Sequence, residues 1–466
     1  MIVRQGATLI LGIDIGTSKT AAVIIAEDGR AVATASRPHA ADLPAPPGYA
    51  EQDALALLQS ARAAVQQLPL EARRGLRGIG VTGQMHGVLL LDRKGEPLAP
   101  LVTWQDGRCG EGGFLQELNA RTGAELRSGF GCATLAWFCA RGRLPEGTAS
   151  ASTIQDWMAA RLCGELRPVT DPTDGASWGL FDLDHSRWNA GAVAASGIPE
   201  AILPEIVACG QRIGETCRVE SEMFGIPRGI PVAAAIGDNQ ASLIATLREP
   251  EKDLALSLGT GGQLSAVQPA GTAASQTARG ATWEYRPYPG GRLVAVAASL
   301  CGGSAWQWLA ETIQGWTREL GFPRVTREEV FTLLNELIPP ARGGITVHPH
   351  FLGERHDPGR RASIEGISLA TLSLGELAHA LAEGICANLR DMLPVALWQG
   401  RARLVGSGNA LQRNPLLQSA ARAVFGAPLH MSGLREAAAA GAALNAGPIL
   451  TPRLGARETL REDHLE

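Results

Sequence analysis

At 466 residues the chain exceeds the size at which one hydrophobic core usually suffices, so two domains are expected. Its apolar content of 45%, with 19% charged residues, is ordinary for a globular protein, and a formal net charge of −4 argues against a dedicated nucleic-acid binder. No run approaches the roughly 18–20 uncharged apolar residues of a membrane-spanning helix. The eight cysteines are scattered without a C-x-x-C pair, a pattern that points to reduced thiols in the cytoplasm rather than to disulfides or a zinc site.

In chain order, Leu9–Ile13 reads as a buried strand. Asp14 interrupts the apolar run, so it is not a signal peptide. A second strand, Ala21–Ile25, follows the Gly16-Thr17-Ser18 turn, and Asp28-Gly29 marks a hairpin into Ala31–Ser36. The Pro- and Gly-rich stretch Asp42–Tyr49 predicts a surface loop, and the spacing of Leu55, Leu58, Ala61, Val65 and Leu68 predicts a helix over Asp53–Leu68. Arg77–Thr82 is a strand ending in Gly83-Gln84-Met85-His86-Gly87, and Val88–Leu91 resumes strand. Pro231–Ile236 predicts one apolar strand, followed by Gly237-Asp238-Asn239-Gln240 and a helix over Ala241–Thr246. The charged run Arg248–Asp253 is the expected crossover between domains.

The second half then repeats the opening theme. Leu254–Leu258 closes on Gly259-Thr260-Gly261-Gly262, with strands expected at Gln263–Val267 and Leu293–Ala298. Gly375–Leu393 has helical periodicity. Arg403–Val405 enters Gly406-Ser407-Gly408-Asn409, and a helix is expected from Pro415 to Phe425.

Two apolar strands ending on Gly-Thr, one per half, point to two turns that admit backbone N–H groups to one polyphosphate. A carboxylate beside such a turn repels phosphate unless a cation lies between them, which makes Asp14 a candidate for organising Mg–ATP. Gly16, Thr17, Ser18, Gly259, Thr260 and Gly261 are the candidate phosphate residues. In Gly406, Ser407, Gly408 and Asn409 the small side chains would let an adenine lie against the backbone. Asp238, at the carboxyl end of a strand in a polar cluster, suits a base for an attacking hydroxyl; N-capping is its plainer reading. Gln84, Met85, His86, Trp104, Gln105, Asp106 and Arg108 combine donors, acceptors and an aromatic face, a mixture suited to a sugar. Structural roles for His86 and Trp104 compete with that reading. His348, His350 and His356 match no closed zinc spacing and read as a polar loop. Glu354-Arg355 offers a possible domain-spanning ion pair.

Together, Asp14-Ile15-Gly16-Thr17-Ser18, Gly83–Gly87, Trp104–Cys109, Gly237–Gln240, Leu258–Gly262, Leu352–Arg355 and Gly406–Asn409 resemble, in order, the motifs of the FGGY carbohydrate kinases. The likeness spans residues 9–445. It implies an α/β, actin-like ATPase (sugar kinase) fold of two ribonuclease-H-like domains with a catalytic cleft between them. Residues 1–247 would carry the sugar site and the base, and 248–466 the ATP site. By the same resemblance Asp238 matches the catalytic base, Met85 and His86 the sugar contact with Asn239 beside them, and Asp14 the magnesium-linked aspartate. Expected partners are ATP, Mg²⁺ and a small sugar, with no nucleic acid or membrane, in a monomer or homodimer. Leu101–Cys109, Gly129–Thr134, Ala176–Gly179 and Leu352–His356 resemble a branch acting on a seven-carbon ketose, whereas pentulose kinases usually carry Trp-Asn-Asp where Trp104-Gln105-Asp106 stands. A pentulose kinase and a non-catalytic, nucleotide-dependent sugar sensor are the rival readings. Two lysines common in the family are Ala21 and Thr134 here.

Overall fold

A computed structural model describes residues 8–274, 282–322, 324–337, 344–355 and 357–450. These fall into two units, 8–245 with 434–450 and 246–433. The expected crossover run at 248–253 lies just inside the second unit. Residues 434–450 belong to the first unit, where the range 248–466 had assigned them to the second.

Unit 1 is built on a mixed sheet of β1 (Leu9–Ile15), β2 (Lys19–Ala26), β3 (Ala31–Pro38), β4 (Leu76–Gly83), β5 (Arg212–Glu215), β6 (Pro231–Ala233) and β7 (Ile236–Gly237). The order is β5-β6-β4-β1-β2-β3, with β7 also pairing β4. The single strand expected at Pro231–Ile236 is split in two. Only Val232 of β6 pairs with β4, at Ile79, and pairing resumes at Ile236.

The sheet is covered on both faces, which accounts for the near-continuous apolar runs of its central strands. Side chains alternate between faces. Leu9, Leu11, Ile13 and Ile15 join a core with Leu57, Leu58 and Ala61 of α1 (Ala54–Gln66) and Trp157 and Met158 of α2 (Ile154–Cys163). Ile10, Ala21, Val23 and Ile25 join a second core on the other face. Each fully buried Leu or Ile contributes about 1.5–3 kcal/mol to this packing. Asp53 starts α1 by accepting from the N–H groups of Leu55 (2.8 Å) and Ala56 (3.2 Å). Two further helices matter for the site, α3 (Pro172–Ser177) and α4 (Asp238–Thr246).

Unit 2 repeats the frame with β8 (Asp253–Leu258), β9 (Gly262–Gln268), β10 (Trp283–Tyr288), β11 (Arg292–Ser299), β12 (Arg403–Ser407) and β13 (Leu429–Met431), in the order β10-β11-β9-β8-β12-β13. In both units a first strand pairs antiparallel with the second, the second antiparallel with a later one (β3 in unit 1, β11 in unit 2), and the first parallel with a strand reached by a long crossover. This is the ribonuclease-H-like pattern expected from the sequence. The helices of unit 2 include α5 (Gly303–Glu319), α6 (Leu374–Met392) and α7 (Pro415–Phe425).

The returning segment adds α8 (Ala437–Asn445) to unit 1, on the face of Ile10 and Val23. Its backbone lies so close to the sheet that a Cβ on Gly12 would overlap the Ala439 carbonyl, and one on Gly80 the Ala442 carbonyl. Gly441 approaches the Ala241 carbonyl of α4 in the same way. Glycine is therefore required at all three positions.

Candidate active site

The register of unit 1 aligns three strand ends. Asp14 stands beside Thr82, and Thr82 beside Ile236; one step on, Ile15, Gly83 and Gly237 form the next row. The chain then leaves these strands as the Gly16–Ser18 turn, as Gln84-Met85-His86 and as Asp238. Carboxyl ends of neighbouring parallel strands are where open α/β sheets bind ligands. Residues far apart in sequence thus come together through register alone.

Asp14 is half-buried, and its Oδ1 atom is sealed from solvent without a hydrogen-bond partner among the described residues. Burial raises its pKa to about 7, with Asp238 and Glu436 adding repulsion and Lys19 opposing them. A sealed carboxylate oxygen among further negative charge fits a hard divalent cation. Among the described residues no group of three or more His, Cys, Asp or Glu side chains could hold a metal, so a cation here would need the oxygens of a bound phosphate as well. Lys19, on the outgoing strand, pairs with Glu436 at 2.6 Å.

The first Gly-Thr turn is tied to the proposed sugar cluster. Thr17 Oγ1 accepts from Trp104 Nε1 at 2.9 Å and donates to Gln84 Oε1 at 3.4 Å. Gln84 Nε2 donates to Gln52 Oε1 at 2.7 Å, and Gln52 Nε2 returns to the Thr17 carbonyl at 2.8 Å. Gln52 was passed over in the sequence because a lone glutamine ahead of a helix carries no motif. Ser18 is exposed, as are Trp104 (42%) and Gln105.

His86 adopts φ +75°, unusual for a residue with a side chain. Its ring stacks on Phe130 with centroids 4.7 Å apart, and Nδ1 lies 2.7 Å from the Ser177 carbonyl. A carbonyl only accepts, so the Nδ1 atom carries the proton of that contact. Met85 is seated on Gly237, where a Cβ would come within 2.6 Å of its terminal methyl. Asp238 and Asn239 open α4 directly after that glycine.

Asp106 is committed elsewhere. Its side chain is fully buried, and its oxygens accept from Arg108 Nε (2.7 Å) and Nη2 (2.8 Å) and from Ala50 N–H (2.8 Å). Arg108 also pairs with Glu51 at 2.6 Å and lies over the Tyr49 ring. Asp106 and Arg108 brace the wall that carries Trp104. Ala21 and Thr134, at the two positions where the resemblance leads one to expect lysine, are 0% and 1% exposed, so both lie in packed interior.

Behind the site, Asp156, Asp171 and Asp174 are buried together, and burial raises the pKa of all three, with repulsion from Asp171 adding to the rise at Asp156 and from both Asp156 and Asp171 at Asp174.

In unit 2 the second Gly-Thr turn is gripped by its carbonyls. Gly303 N–H donates to the Gly259 carbonyl (2.8 Å), and Gly302 and Ser304 N–H donate to that of Thr260 (3.2 and 2.9 Å). Gly259 itself would meet nothing within 4 Å if given a Cβ, so its outer side is open. Gly408, at φ +89°, lies against the Leu258 carbonyl and brings the Gly406–Asn409 turn beside Gly259–Gly261. The sequence reading missed Gly302-Gly303, although two glycines between a strand and an amphipathic helix were a usable signal.

Glu354 is buried within unit 2, where Oε1 accepts from Ser299 Oγ (2.8 Å) and Asn388 Nδ2 (2.9 Å) and lies 3.3 Å from His350 Nδ1. These contacts place Glu354 in the interior of unit 2. His348 ends a short strand, Thr346–His348, and His350 is buried, which corrects the polar-loop reading; His356 lies outside the described residues.

A repeated ribonuclease-H-like unit with phosphate-type turns at equivalent strand ends defines a nucleotide-dependent phosphotransferase class. Comparison with known proteins narrows it. The N-terminal domain profile of the FGGY family of carbohydrate kinases matches residues 9–245, and the C-terminal domain profile matches 254–448. The chain belongs to the FGGY family of carbohydrate kinases. It is 36% identical to a sedoheptulokinase of Homo sapiens, covering 94% of this chain and 96% of that one. It is 28% identical to a glycerol kinase of Thermus brockianus, over 93% and 88%. The crystal structure of a xylulose kinase from Rhodospirillum rubrum superposes with a TM-score of 0.82 at 26% identity, covering 96% of this chain and 91% of that one. No helix of the described residues is long and apolar enough to cross a membrane.

Proposed function

We propose that this sugar kinase transfers the γ-phosphoryl group of ATP to the terminal hydroxyl of sedoheptulose, giving sedoheptulose 7-phosphate and ADP. The observation that carries the mechanism is the shared register of β1, β4 and β7, which sets Asp14, Gln84–His86 and Asp238 at adjacent strand ends. Asp238 takes the proton of the attacking hydroxyl. The new O–P bond forms as the γ-phosphorus parts from the β-phosphate oxygen, which leaves with the electron pair. Met85, His86, Gln84, Trp104, Gln105 and Asn239 orient the ketose. Gly16, Thr17 and Ser18 with Gly259, Thr260 and Gly261 take the polyphosphate, and Gly406–Asn409 takes the adenosine. Asp14 holds Mg²⁺, which when bound offsets charge on the phosphates.

Support for the heptulose comes from identities of 36% and 35% to the human and mouse sedoheptulokinases, each covering 96% of the relative, against 26% for a xylulose kinase of Lactococcus lactis. The eight free cysteines favour a cytoplasmic setting.

Asp238→Asn tests the mechanism: turnover is expected to fall by about 10²–10⁴ with the thermal melt retained. Near-parental turnover removes Asp238 from the role of base. A panel of ketoses and polyols, read by ADP release and by the position of the new phosphate, tests the substrate. A kcat/KM for xylulose equal to that for sedoheptulose overturns the heptulose assignment. ATP binding without sugar-dependent ADP release overturns the kinase reading in favour of a sensor.

A further inference from the structure

One buried segment is bonded both to His86 and to the residue that precedes Asp238. The helix α3 is capped by Asp171, whose Oδ1 accepts from the N–H groups of Thr173 (2.9 Å) and Asp174 (3.1 Å). The same oxygen accepts the Thr173 hydroxyl proton at 2.6 Å. With its proton directed to Asp171, Thr173 Oγ1 is left as an acceptor, and it takes the Gly237 N–H at 2.8 Å. Gly237 is the residue immediately before Asp238.

One turn further along α3, Ser177 Oγ donates to the Asp174 carbonyl (2.7 Å) and accepts the His86 N–H (3.2 Å). The Ser177 carbonyl accepts from His86 Nδ1 at 2.7 Å. Thr173 and Ser177 stand at i and i+4, so their hydroxyls share one face of a single helical turn. They are 0% and 6% exposed. Met85 on Gly237 closes the frame from the third side.

We propose that Asp171, Thr173 and Ser177 are positioning residues that fix the Asp238 carboxylate and the His86 imidazole relative to each other. The inference rests on the assignment of Asp238 as base and His86 as sugar contact. Its physical basis is that Gly237 N–H and His86 N–H would lose buried acceptors without these hydroxyls. A proton transfer and an in-line attack both degrade steeply with misplacement: about 1 Å costs on the order of 10²-fold.

The two hydroxyls hold different partners, so their removal has different kinetic signatures. Thr173→Val is expected to lower kcat by about 10- to 100-fold with KM for the ketose little changed, and Thr173→Ser to restore it. Ser177→Ala keeps the carbonyl contact and loses the acceptor of the His86 N–H together with the bond to the Asp174 carbonyl, so KM for the ketose is expected to rise about 3- to 10-fold with kcat nearly parental. Kinetics are referred to folded enzyme by thermal melt and active-site titration; if Thr173→Val does not fold, Thr173→Ala carries the same expectation. Parental kcat in the folded Thr173 variant, or equal impairment of Thr173→Val and Thr173→Ser, overturns the proposal. Asp238→Asn separates the two levels. Activity surviving Asp238→Asn removes the base assignment and the proposal with it. An inactive Asp238→Asn beside a parental Thr173→Val removes the proposal alone.

Discussion

The two units make the same turn at the end of the same strand and charge it differently. Unit 1 runs Asp14-Ile15-Gly16-Thr17, and unit 2 runs Ser257-Leu258-Gly259-Thr260. Asp14 is pushed up to about 7 by burial and by neighbouring Asp238 and Glu436. The buried aspartate of the unit 2 sheet, Asp253 at the start of β8, is instead held below the ordinary carboxylate range; burial raises it, and Arg403 outweighs that. Arg403 grips it with two bonds of 2.7 and 2.8 Å, and the N–H groups of Arg248 and Glu249 add two of 3.1 Å. Unit 2 neutralises its buried charge, whereas unit 1 concentrates it where we propose that a cation is held and a proton is taken. Duplicating a frame thus leaves one copy free to serve as support.

Breaking the neutralised charge should have the largest effect on stability. Arg403→Leu leaves Asp253, 0% exposed, without its counter-ion and is expected to cost about 3 kcal/mol, read by chemical denaturation. An unchanged midpoint would show that the two N–H donors suffice.

Two glycines, one inside β1 and one at the second turn, separate packing from ligand approach. Gly12→Ala drives a methyl into the Ala439 carbonyl and is expected to destabilise unit 1 by about 1–3 kcal/mol. Gly259→Ala meets no atom within 4 Å and should change stability by less than about 0.5 kcal/mol. It should nonetheless raise KM for ATP, because the methyl occupies the open side of the turn. An unchanged KM for ATP would take Gly259 out of the phosphate site.

A slope with pH is of opposite sign in the two units. Asp14, at 3.8 when unfolded and about 7 when folded, binds more protons in the folded state between those values. Its contribution to stability therefore falls as pH rises from about 4 to about 7, and Asp156, Asp171 and Asp174 act in the same direction. Asp253 stabilises above its ordinary value of 3.8 and loses that contribution as pH falls below it. Thermal melts from pH 5 to 8 should show the unit 1 decline, and Asp14→Asn should flatten it. Mg²⁺ should raise the melting temperature of the parent more at pH 8 than at pH 5, and leave Asp14→Asn unmoved; a parental Mg²⁺ response in that variant removes Asp14 as the cation residue.

Much of the frame was legible because its strands are apolar and end on glycine. Leu9–Ile13, Ala21–Ile25, Arg77–Thr82 and Leu254–Leu258 each fall within an observed strand, and Asp53 caps the helix the spacing predicted. The α8 helix was not legible, because Ala437-Ala438-Ala439-Ala440 has no polar side to set a period. Nor did local sequence betray the environment of Asp106 or Glu354. A carboxylate next to an aromatic or an arginine reads alike whether it faces a ligand or the interior, and only tertiary partners distinguish the two. Thr173 and Ser177 were hidden for a related reason: a hydroxyl that relays a hydrogen bond looks like any helix-capping residue.

The return of α8 to the first sheet also sets an order in time. Synthesis delivers β1, β2 and β4 first, then all of unit 2, and only then the helix whose backbone rests on Gly12 and Gly80. Until Ala437–Asn445 leaves the ribosome, one face of the oldest strands has no cover, and Ile10, Val23 and Ile25 stay unprotected. The first sheet is therefore completed only after unit 2 has been made, and a nascent chain cannot finish the frame around Asp14 and Asp238 before Ala437–Asn445 has been added.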